Sequence, residues 1–186
     1  MNPRFYLPAI YFLIVLSSCT MILSTNVPGK QEKSLPKEWI GRYKIISSPY
    51  FPEKRDTAQH EKEYAIFESD RIIWEGADGT KVYSLADSLK YSVIYGQSRY
   101  LSLLMPQGLY AVFKVIKKDD GLELYSMSSD DEPRKGELNK YFAKVEKMKK
   151  HEDEYYRVTI VDKKLDAYFK SSIPSKDVTK LVLVKQ

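Results

Sequence analysis

From Trp39 to Met127 the chain is written in short runs of Tyr, Val, Ile, Phe and Leu, each closed by residues that turn the backbone. β-Branched and aromatic side chains fit a pleated, half-buried surface, and such runs at close spacing are the pattern of antiparallel strands. Trp39 to Ile46 reads as a first strand. Tyr64 to Glu68 and Arg71 to Glu75 flank the turn Ser69-Asp70, and Gly76-Ala77-Asp78-Gly79 leads on into Lys81 to Leu85. Tyr91 to Tyr95 and Tyr100 to Leu104 are split by Gly96-Gln97-Ser98. Leu109 to Lys117 is apolar on both faces, which suits a central strand. Asp119-Asp120-Gly121 turns it into Leu122 to Met127. These segments make a meander of about eight strands.

The pattern changes after Met127. Ser128 to Gly136 is an acidic loop containing proline. A short helix near Glu137 to Phe142 is expected to run into a strand over Ala143 to Lys149, with Tyr155 to Val161 returning beside it. Asp162 is placed to cap a helix over Lys163 to Lys170, whose apolar stripe holds Leu165, Tyr168 and Phe169. Thr179 to Lys185 closes the chain as a strand. The expected fold is therefore mainly β. It is an antiparallel meander forming a barrel or a strongly curved sheet, with one or two short helices in the C-terminal third. Closure into a barrel would remove the exposed sheet edges.

The N-terminal segment carries a different message. Met1 to Arg4 is short and positive, and Phe5 to Leu16 is nearly all apolar but too short to cross roughly 30 Å of hydrocarbon. Leu16-Ser17-Ser18-Cys19 follows: an apolar branched residue, two small ones, then the only cysteine in the chain. This arrangement resembles the signal of bacterial lipoproteins. The resemblance implies that residues 1–18 are a signal peptide, removed when Cys19 is acylated. It also implies a protein held on the cell envelope by its acyl chains. Two or more chains give stable anchoring where one does not. Thr20, in place of the aspartate that retains enteric lipoproteins at the inner membrane, favours the outer membrane where the organism has one. Residues 19–37 mix Ser, Thr, Asn, Pro, Gly and Lys and read as a flexible tether, with Met21-Ile22-Leu23 lying in the lipid interface. Residues 38–186 are then one globular domain. With its one cysteine committed to lipid, the domain has no internal disulfide and stands on its apolar core.

Trp39-Ile40-Gly41-Arg42-Tyr43 resembles, in altered order, the Gly-x-Trp opening of lipocalin-like barrels. That resemblance implies a tryptophan plugging the barrel floor. On it, Trp39 together with Val112 and Phe113 of the central strand would line an enclosed space for a ligand.

Charge and motifs narrow the chemistry. The net charge of +5 is spread along the chain. Its densest basic group, Lys140, Lys144, Lys147, Lys149 and Lys150, is followed at once by Glu152, Asp153 and Glu154, as on a solvated surface. No nucleic-acid partner is expected. His60 and His151 lack zinc spacing, and neither Asp119-Asp120 nor Asp130-Asp131-Glu132 matches a calcium loop, so no metal or other cofactor is expected. No nucleophile elbow, phosphate loop or dinucleotide fingerprint is present, and no catalytic residue is assigned. Three function classes stay open. One is non-catalytic binding of an apolar small molecule, a glycan or an envelope protein. The second is a structural part of an envelope assembly, and the third is an envelope hydrolase with an unfamiliar site.

Overall fold

The structure, a computed structural model, describes residues 21–47, 63–76, 79–127, 135–150, 153–175 and 180–186. The elements in chain order are β1 (Met21–Ser24), β2 (Lys30–Glu32), a 3-10 turn (Lys37–Trp39), β3 (Gly41–Ser47), β4 (Tyr64–Phe67), β5 (Arg71–Gly76) and β6 (Gly79–Ser84). They continue with β7 (Leu89–Ile94), β8 (Ser98–Leu104), β9 (Tyr110–Lys117), β10 (Gly121–Ser126), α1 (Lys135–Leu138), β11 (Phe142–Lys150), β12 (Asp153–Ile160), α2 (Asp162–Ser175) and β13 (Lys180–Lys185). The fold is mainly β, as the alternating runs require, and the sheet curls into a half-barrel.

Two local meanders build it. β3 to β6 pair in succession, and so do β7 to β10. β13 joins them by lying antiparallel between β3 and β10. The C-terminal strand thus zips the first half of the fold to the second. β9 is central, as its two apolar faces require. One edge pairs with β8 over Tyr110 to Val115. The other is divided, pairing with β10 over Phe113 to Lys117 and with β1 at Tyr110 and Ala111. The sheet forks there, and β1, β12 and β11 form the second arm.

β1 corrects the tether expected over residues 19–37. Met21–Ser24 is buried throughout and pairs parallel to β12, with Met21 opposite Tyr155 and Ser24 opposite Val158. β2 also falls in that span, and the 3-10 turn begins at its last residue. Four consecutive buried residues between two strands are core. They cannot lie in a lipid interface while paired there.

Two large cores occupy the two faces. Inside the curl, Trp39, Tyr43, Phe67, Leu101, Leu122 and Leu183 pack together from six different elements. On the opposite face, α2 lies against β8, β9, β12 and β1, contributing Leu165, Tyr168 and Phe169. A smaller cluster of Met21, Leu23, Met105, Leu109 and Tyr155 buries the remaining side of β1. At the start of β10 the close approach of β13 demands glycine, because a Cβ on Gly121 would fall on the Leu183 carbonyl.

Asp162 does not cap α2 as expected. The Val161 carbonyl accepts the first helical bonds, from Lys164 and Leu165 N–H. The Asp162 carboxylate instead accepts the Gly29 N–H at 3.0 Å and fastens the loop after β1 to the helix. Asp162 still sits in the first turn, where the helix dipole favours a negative charge.

Candidate functional site

Cys19, His60, His151 and Asp130-Asp131-Glu132 lie outside the described residues. Asp119-Asp120 is a hairpin turn, closed by Lys118 N–H donating to the Gly121 carbonyl. Among the described residues no group of His, Cys, Asp and Glu could hold a metal, and no helix is long and apolar enough to cross a membrane.

Trp39 and Phe113 pack into the same core inside the curl, Phe113 at its partly exposed margin. Val112 does not join them. It belongs to the core under α2. Neighbouring residues of a strand point to opposite faces, so Val112 and Phe113 cannot line one space. Trp39 is fully buried. Its ring meets Tyr91 edge-on with centroids 5.2 Å apart, and its carbonyl accepts the Tyr43 hydroxyl at 2.9 Å. The Arg99 guanidinium lies 5.7 Å from the indole and is held by Glu38 at 2.6 Å. The indole Nε1 is buried without a hydrogen-bond partner among the described residues.

The polar constellation around Asp166 was not legible in the sequence. Asp166 on α2 accepts Ser98 Oγ at 2.7 Å, Lys114 Nζ at 2.8 Å and the Tyr100 hydroxyl. Its sequence distance from these partners is 68, 52 and 66 residues, so no local spacing could reveal the group. Burial alone would raise the Asp166 carboxyl, but the three donors outweigh it and hold the group below the ordinary carboxylate range. Burial, reinforced by the hydrogen bond to Asp166, pushes the Tyr100 phenol far above its usual range. The carboxylate is engaged by three donors and the phenol is held neutral. Neither is poised as a base or nucleophile at neutral pH. The arrangement clamps α2 to the β8–β9 hairpin.

A last feature sits at the β7–β8 turn. Tyr95 and Gly96 both have positive φ, 51° and 70°, and Gln97 N–H donates to the Ile94 carbonyl at 3.2 Å. This is the turn geometry that asks for Asn-Gly or Gly-Gly. Tyrosine pays a steric penalty there, yet the residue is 67% exposed.

No protein-family model matches the chain, nor does any curated protein or solved structure.

Proposed function

We propose that this chain is a lipid-anchored protein of the bacterial cell envelope, attached through acylated Cys19, and that its domain works by contact with another envelope protein rather than by catalysis. Tyr95 carries the contact reading. A large apolar ring is kept on the surface at a position whose backbone favours asparagine or glycine. Strain of this kind persists where the side chain has a use that stability does not supply. The self-neutralised Asp166 cluster supports a role without chemistry. The anchor itself rests on Leu16-Ser17-Ser18-Cys19.

Two substitutions test this. Tyr95→Asn is expected to raise stability by about 0.5–1 kcal/mol in urea unfolding, because asparagine tolerates positive φ. The same change is expected to abolish the crosslink that a photoreactive residue placed at the neighbouring turn position 97 forms with an envelope protein. A crosslink partner that still co-purifies undiminished with Tyr95→Asn would overturn the contact reading. Cys19→Ala is expected to lose fatty-acid label and membrane attachment, and label retained in that variant would remove the anchor.

One observation favours a second reading, an apolar or glycan ligand inside the curl. The unpartnered Trp39 Nε1 is a donor available to such a molecule. Saturable uptake of a fluorescent fatty acid, lost in Phe113→Ala, is the outcome that reading requires.

A further inference from the structure

From Met21 onward the described chain is already part of the folded sheet. Building on the lipid anchor proposed above, we infer that the domain is held flush on the bilayer by the Met21 end of the β1–β12–β11 arm, with a phospholipid surface as its partner there. Two residues of any conformation span at most about 7 Å, so the backbone of Met21 is no farther than that from the backbone of the acylated Cys19. Met21 is not free to move away from the domain. It is 6% exposed, paired with Tyr155 on β12 and packed in the cluster with Leu23, Met105 and Leu109.

The rest of that end follows from register. Tyr155 pairs with Met148 of β11, and the next pair outward is Glu154 with Lys149. Adjacent strands lie about 4.8 Å apart, so Lys149 stands roughly 10 Å to the side of the chain leading to Cys19. Its side chain is 68% exposed, and its ion pair with Glu154 is long, 4.0 Å. Glu154 is held more closely by Lys147, at 2.8 Å. A lysine on a long apolar stem at this position can place its ammonium among lipid phosphates. The other end of β11 points away: Lys144 lies five residues back along the strand, about 17 Å at the usual rise.

The test uses the full acylated chain in vesicles of phosphatidylethanolamine and phosphatidylglycerol. Cys19 is the only cysteine and its sulfur is blocked by lipid, so Lys149→Cys or Lys144→Cys gives a single site for a fluorophore. With a quencher attached to the lipid headgroups, the label at position 149 is expected to lose most of its emission and that at 144 to keep most of its own. A twenty-residue Gly/Ser linker inserted between Thr20 and Met21 gives a mean reach of about 25 Å, and is expected to erase the difference while attachment persists. Equal quenching at the two positions of the directly anchored protein, with the acyl mass present on Cys19, would overturn the docking and leave the anchor standing. An N-terminal peptide without acyl mass would overturn both.

Discussion

Asp166 joins α2 to β8 and β9 through a charged group that is only partly exposed, at 23% for its side chain against 14% for Lys114. Asp166→Asn leaves Lys114 facing a neutral amide and is expected to cost about 2–3 kcal/mol, the scale of hydrogen bonds to charged groups. Tyr100→Phe removes one neutral donor and is expected to cost about 1 kcal/mol. The pH dependence follows from the same group. Its folded carboxyl titrates below the unfolded value of about 3.9, so its stabilisation is complete above that pH and is lost as pH falls through the lowered folded value. Glu123 acts in the same direction: burial raises it, but Lys180 and Tyr125 outweigh that and lower it overall. Tyr100 has the opposite sign. Its folded phenol titrates above the unfolded value of about 10, so stability holds below that pH and declines above it. Urea unfolding across pH is expected to show a plateau between these limits, and Asp166→Asn should flatten its acid edge. None of this was visible in the sequence, where Ser98 read as a turn residue and Tyr100 and Lys114 as ordinary strand positions. By contrast Asp162 did look special, and it is, but its partner is the Gly29 amide rather than a helix N–H.

At the scale of elements, alternation and turn chemistry located nearly all of the strands. Ser69-Asp70 and Asp119-Asp120-Gly121 turn where such residues should, and the helix after Asp162 forms, extending to Ser175. The β7–β8 turn shifts one residue earlier than Gly96 suggested, onto Tyr95-Gly96. β1 was missed for a physical reason. Met21–Ser24 is only four residues long, lies next to Thr, Asn, Pro and Gly, and takes its stability from β12, more than 130 residues away. A parallel pairing at that separation leaves no local signal. The distinction is measurable: Leu23 is 1% exposed, so Leu23→Ala is expected to cost about 3 kcal/mol in equilibrium unfolding. A tether residue would cost nothing. β13 was recognised as a strand, but its place between the two meanders depends on pairings with β3 and β10 that local sequence does not specify.

For the whole molecule, the interior is assembled from side chains gathered over the length of the chain. The largest wholly buried ones, Trp39, Tyr43, Tyr100, Phe67 and Phe169, are distributed over both faces of the sheet. This core, without a disulfide, carries the fold, so reductant is expected to leave the unfolding midpoint unchanged. The half-barrel shape matches the expected curved sheet. Of the three residues expected to border one space, Trp39 and Phe113 share a core and Val112 lies across the sheet. On the function proposed above, a packed, acylated domain works at its surface. Native mass spectrometry of the protein released from its own membranes tests it most directly. The predicted mass is the chain from Cys19 plus its acyl groups, alone or with a protein partner that Tyr95→Asn removes. A stoichiometric small apolar molecule or glycan retained by the wild-type chain, and lost from Phe113→Ala, would contradict it.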